Sequence, residues 1–206
     1  MILADRLLMG STGSVAVVLA TQGENTSKVG TTLDIAKPTC ILSDVLISLA
    51  ISTNTGRTWT AHTGFTELLD SGGVEIARRT VDTTEAATLT YTASGAHTQA
   101  SGAVVCLRGG TYDTIGSVSA EASSPIAPSI TMTGAGVVLA IFWRNNDSIA
   151  FTTPTGFAPV VADSDRDSPS YAIFYKVVDA GATGTVTSTL TAGKGYGVLV
   201  GKIGRA

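Results

Sequence analysis

The chain has 206 residues, a net charge of −3 and a pI near 5.3, and its largest Lys/Arg cluster is the pair Arg78 and Arg79, so the counterion release that drives nucleic-acid binding is missing. Charged residues are 14% of the chain and hydrophobic ones 44%. Thr, Ser, Gly and Ala fill the gap, a mixture that suits strands joined by tight turns and excludes an architecture of long helices.

In chain order, MILADRLLMGSTGSVAVVLA comes first. Asp5 and Arg6 break its apolar stretch and GSTGS divides the rest, so no signal-peptide core survives, and the run from Val15 to Ala20 is too short to span a membrane. The expectation is a protein that starts near Met1 and is made in a cytoplasm. Ile2, Leu3, Leu7 and Leu8 precede the strand pattern and have no assured place in its core. Residues 1–14 are therefore read as an N-terminal arm, docked on a neighbouring subunit or folded back on its own sandwich. Residues 15–206 are read as the folded domain.

TTLDIAKP (31 to 38) and SDVLISLAI (43 to 51) are the next strands. Val45, Ile47, Leu49 and Ile51 alternate onto one face, and Ser48 and Ser52 onto a face expected to be wetter. WTAHTGF (59 to 65) follows, and FTTPTGF repeats its form 92 positions later. At that offset residues 44 to 65 align without a gap with 136 to 157. Val137, Leu139, Ile141 and Trp143 answer the first apolar face, and Ala140 and Arg144 the wetter one. VEIARRTVD (74 to 82) pairs with YAIFYKVVD (171 to 179), ATLTYTASG (87 to 95) with TVTSTLTAG (185 to 193), and AVVCLRGG (103 to 110) with the region of GVLVGKIG (197 to 204). Turn stretches rich in Gly, Asn and Asp punctuate the strands, among them STNTGR, DSGG, ASGAH, RNNDS, DAGATG and TAGKG. The pattern predicts an all-β fold: an antiparallel β-sandwich of jelly-roll type with internal pseudo-two-fold duplication, its halves at about 31–110 and 127–204. One sandwich and two tandem ones both remain open. In the doubled phrase Gly64 and Gly156 are expected to make a turn that seats Phe65 and Phe157 in the core, beneath Trp59 and Phe151.

Chemistry-bearing motifs are sparse. His62 and His97 lie in polar, turn-like stretches and read as solvated loop residues. Cys40 and Cys106 lack C-x-x-C or Cys/His spacing, and Cys106 within AVVCLRG reads as a buried inert thiol rather than half of a disulfide. GKGYG (193 to 197) precedes a strand rather than a helix, so it offers no phosphate cradle. Asp163, Asp165 and Asp167 alternate like the start of a calcium loop, but Ser168 stands where Gly is wanted and Phe174 where Glu is needed. They remain weak metal candidates against a solvated insertion. No cofactor is expected, and an enzymatic carboxylate pair is set aside because no two acidic residues are seen to oppose each other across one strand face.

The order TTLDIAKP, SDVLISLAI, the aromatic-T-x-x-TGF corner, VEIARRTVD, ATLTYTASG and AVVCLRG is similar to a family of virion structural proteins of tailed bacteriophages. Members show a GD-(L/V)-L-(I/V)-A strand, a W-T-x-P-x-GW corner and a YY-(K/R)-V-(A/V)-D strand. Ser43 to Ile47, Trp59 to Phe65 and Phe174 to Asp179 stand in for these, with Phe65 where the family has a second Trp. The likeness covers residues 31 to 204. It implies a jelly-roll-like particle protein, not an enzyme, attached as a capsid decoration, elsewhere on the head, or on the tail. The implied partners are other virion proteins, a major capsid protein or tail subunits, with homo-oligomerisation open. The implied location is the virion, assembled in the host cytoplasm, with neither nucleic acid nor membrane as partner. The alternative is a receptor-recognising module for a host surface glycan, using Arg57, His62, Tyr112 and Asn145.

Overall fold

A computed structural model describes residues 16–25, 30–145, 149–162 and 169–204, and all regular elements among them are antiparallel β-strands. In the first large sheet β3 (Val45–Ser52) is central, flanked by β8 (Ala100–Arg108) and β6 (Val74–Thr80), with β1 (Ala16–Asn25) and β5 (Thr66–Ser71) at the edges. In the second, β12 (Gly136–Arg144) is central, flanked by β17 (Tyr196–Ile203) and β14 (Ser170–Val178), with β9 (Thr111–Ile115) and β13 (Ala158–Ala162) at the edges. The orders β1-β8-β3-β6-β5 and β9-β17-β12-β14-β13 correspond strand for strand. Strand β9 holds in the second sheet the edge place that β1 holds in the first.

A smaller layer accompanies each large sheet. On the first it is β2 (Gly30–Ala36), β7 (Thr88–His97) and β4 (Trp59–Thr60), in the order β2-β7-β4. On the second it is reduced to two short pairs, β10 (Ile126–Ala127) with β16 (Val186–Thr187) and β11 (Thr131–Met132) with β15 (Gly181–Ala182), and a bridge between Phe151 and Leu190.

The large sheets face each other across one buried cluster that joins Val45, Ile47, Leu49 and Ile51 to Val137, Leu139, Ile141, Trp143, Ile173 and Val200. Their other faces are buried as well. Leu46, Ala50, Val104 and Cys106 pack against Leu33, Ile35, Trp59, Leu89 and Tyr91. Val138, Ala140, Phe142 and Leu199 pack against Ala127, Ile130, Met132, Phe151 and Val186. This corrects the expectation of a wet second face. Ser48, Ser52 and Ala140 are buried, and Arg144 is half-buried with Nη1 donating to Ala192 O at 3.0 Å. The Ser48 hydroxyl donates to Ala77 O at 3.3 Å, and that of Ser52 accepts from Asn54 N–H at 3.0 Å. Their small side chains suit a strand covered on both sides, because a second layer can approach it closely.

The doubled phrase makes the same corner twice. Gly64 and Gly156 have φ of 88° and 78°, in the left-handed region. Phe65 N–H donates to His62 O at 3.0 Å and Phe157 N–H to Pro154 O at 3.1 Å. Trp59 and Phe151 are buried, whereas Phe65 and Phe157 are half-buried against the same clusters. Trp59 pairs with Ala93 and Phe151 with Leu190, so ATLTYTASG and TVTSTLTAG align one residue out of step with the reading above. Tyr91 therefore answers to Ser188, since a slip of one would turn the buried Val186 outward.

Candidate functional site

Trp59 gathers polar groups inside the first half. Its backbone N–H donates to Asp70 Oδ1 at 3.2 Å, its indole N–H to Gly73 O at 3.0 Å, and its ring lies 5.3 Å from that of His97. Asp70 on β5 is the direct cross-strand partner of Glu75 on β6. Two acidic residues are thus opposed on one strand face, contrary to the sequence reading. Alternation explains the placement: Val74 and Ile76 enter the cluster between the large sheets, which turns Glu75 toward the β2-β7-β4 layer.

Glu75 is 1% exposed, and neither carboxylate oxygen has a hydrogen-bond partner. Burial raises its pKa to about 8, helped by the negative charges of Asp70 and Glu67. It is therefore mostly a neutral carboxylic acid at pH 7. Burial also raises the Tyr91 hydroxyl, and the charge of Glu75 adds to the effect. Ser48 is near enough to lower Tyr91 somewhat, yet the Tyr91 hydroxyl has no partner in hydrogen-bond geometry. His97, expected as a solvated loop residue, ends β7 fully buried with both ring nitrogens unpartnered, and burial holds its pKa below the ordinary value. A raised carboxylic acid beside a second carboxylate is the kind of pair that general acid–base chemistry uses. Here Asp70 is half-buried but Glu75 is sealed under the second layer, and a substrate could touch Glu75 only if that layer parted.

A second group lies between the halves. Lys202 on β17 is 1% exposed, and its Nζ donates to Arg108 O at 2.8 Å and Gly109 O at 2.7 Å. Burial lowers its pKa to about 8, against the opposing pull of Asp44. Asp44 is itself buried, with Oδ2 accepting from Ile41 N–H at 2.9 Å and lying 3.6 Å from Arg108 Nε. Cys40 and Cys106 meet beside it as a disulfide, not as the separate inert thiol expected of Cys106. One ligand atom from each of Cys40, Asp44 and Cys106 fits within a mutual 4.8 Å.

The residues singled out from the sequence fare unevenly. Ile2, Leu3, Leu7 and Leu8 of the arm, and Asp163, Asp165 and Asp167, lie outside the described residues. Asn145 is buried, and its Nδ2 donates to Ser52 O and Gly72 O, both at 2.9 Å, tying one half to the other. His62 Nδ1 accepts from Thr90 N–H at 3.0 Å. Tyr112 is half-buried with the Arg78 guanidinium 4.6 Å from its ring centre. The Arg57 guanidinium packs against Gly95, with Nε buried. Glu75 and Lys202 escaped the sequence reading, because each falls in a strand where alternation alone cannot tell a wet face from a covered one. The matching registers of the two large sheets carry the available signal: Ala172 stands at the position of Glu75, and Leu107 at that of Lys202.

No protein-family model matches the chain, and no curated protein matches its sequence.

Proposed function

We propose that the chain is a structural protein of a tailed-bacteriophage particle, carried on the capsid as a decoration or head-associated protein or on the tail, and that it has no catalytic role. The observation that carries this reading is the use made of the residues that resemble the virion family. Asp44 locks a turn, Trp59 to Phe65 build a corner, and Phe174 is a core side chain of β14, so each motif has a structural use. The corresponding strand orders support a duplicated jelly-roll-type sandwich, in which Gly64 and Gly156, φ 88° and 78°, mark one corner inherited twice. The buried, unpartnered Glu75 and His97 fit this reading better than an active site, since a catalytic acid must reach its substrate. Residues 1–14 are proposed as the arm that seats Ile2, Leu3, Leu7 and Leu8 on a neighbouring subunit.

The test is to image particles carrying a tagged copy of the chain, and to mix the purified protein with particles that lack it. Stoichiometric attachment is expected, and deletion of residues 2–12 should abolish it. Absence from the particle, or saturable binding to a glycan array without attachment, would overturn the reading.

A further inference from the structure

We propose that Cys40 and Cys106 form a reversible redox couple, which ties the connection between β2 and β3 to β8 in oxidising surroundings and leaves it held by hydrogen bonds alone in reducing ones. Their Cα atoms are 6.3 Å apart, within the span a disulfide bridges without backbone movement. The same site also serves the thiols: an acceptor lies 3.2 Å from Cys40 Sγ, at Pro38 O, and another 3.4 Å from Cys106 Sγ, at Asp44 Oδ2. When the bond is open, each thiol therefore has an acceptor within reach and neither S–H need be left unpaired. The connection is also anchored without the bond. Asp44 Oδ2 accepts from Ile41 N–H at 2.9 Å, Ser43 N–H donates to Val81 O at 2.9 Å, and Val81 N–H to Asp44 O at 2.7 Å. Reduction therefore leaves the turn closed.

Access is asymmetric, which fixes the order of events. Cys106 is fully buried and Cys40 half-buried, so a small disulfide such as oxidised glutathione meets Cys40 first. The Cys40 thiolate attacks it, forming a mixed disulfide and expelling one glutathione thiolate. The Cys106 thiolate then attacks the Cys40 sulfur and expels the second. Two protein thiols and one glutathione disulfide become one protein disulfide and two glutathione thiols, which carry away both protons, so atoms and electrons balance. The couple belongs to the first half alone, since Gly201 occupies in β17 the position of Cys106 in β8. It governs how firmly Ile41 and Leu42, 55% and 65% exposed, are presented beside it. This inference stands independently of the particle reading.

The test equilibrates the full chain in glutathione buffers of graded oxidised-to-reduced ratio, traps free thiols by alkylation and counts them by mass spectrometry. The expected result is one reversible two-electron transition between two labelled cysteines and none, with unchanged circular dichroism and a melting temperature roughly ten degrees higher when oxidised. Cys40→Ser should abolish the transition and melt like the reduced protein. Continued labelling of both cysteines under excess oxidised glutathione would overturn the proposal, as would a mixed disulfide that never closes. Loss of the fold on reduction would overturn it too, by making the bond a permanent staple.

Discussion

The two halves share a strand order and differ in what they bury. Where the first half sets Glu75 under its second layer, the other has Ala172; where the second sets Lys202 between the sheets, the first has Leu107. A common strand order thus tolerates an acid in one half and a base in the other, each at a site its counterpart fills with carbon. The plan is held by apolar strands and two glycine corners, and the polar burials are departures from it with separate consequences.

Four substitutions or pairs sharpen that contrast, and the core positions should show the largest effect. Ile51 and Trp143 hold the same place in their halves and the same cluster. Trp143→Ala should cost about 3–5 kcal/mol and Ile51→Ala about 2–5 kcal/mol in a denaturant melt, the larger ring leaving the larger void. Near-equal costs would mean that the sheets collapse freely around the vacancy.

Next come the two buried ionisable groups, whose signs are opposite. Glu75 is raised from 4.5 to about 8, so the stability it lends is fully present below pH 4.5 and is lost as the pH climbs to 8. Lys202 is lowered from 10.5 to about 8, so its contribution is complete above pH 10.5 and is lost as the pH falls to 8. Together they predict that stability dips near pH 8, where each is at its most costly. Glu75→Gln should flatten the acid limb and stabilise the protein at pH 8 by roughly 2 kcal/mol, after discounting for solvent screening. Lys202→Met should flatten the alkaline limb. Urea melts from pH 4 to 11 decide the matter, and a limb unchanged by its substitution would remove that residue as its cause.

Smaller effects separate the corners. Ala at Gly64 is strained by its positive φ, and its Cβ would run into the Arg79 guanidinium, which Glu85 at 3.1 Å and Thr63 O at 2.8 Å hold in place. At Gly156 the nearest atom, Lys176 Nζ, is 3.6 Å away. Gly64→Ala is therefore expected to cost about 2–3 kcal/mol and Gly156→Ala about 1 kcal/mol, compared by thermal melts. Smallest of all, Lys176→Met should cost about 0.5 kcal/mol, for a contact 5.8 Å above the Phe157 ring that solvent weakens.

Much of the architecture was legible in the residues. The alternation of Val45, Ile47, Leu49 and Ile51, its echo at Val137 to Trp143, and the repeated Thr-Gly-Phe pointed to the central strands and to the corner at Gly64 and Gly156. The covering of both faces was not legible. Ser48 and Ser52 are polar, so alternation assigns them to water, and only a second layer overhead makes their small size the relevant property. The same blind spot hid Glu75 and misplaced His97, whose polarity belied their burial. Cys40 and Cys106 are 66 residues apart, and their meeting follows from β2 folding over β8, which no local spacing encodes.

The cluster that joins the large sheets draws on residues from Val45 to Val200 and belongs to neither half alone. During synthesis the earlier half leaves the ribosome with a bare oily face, and its natural cover is still being translated. Such distant contacts form late and slowly, and meanwhile an identical face on another nascent chain offers a competing match. Expression level and temperature should therefore govern yield of this chain more sharply than its final stability would suggest.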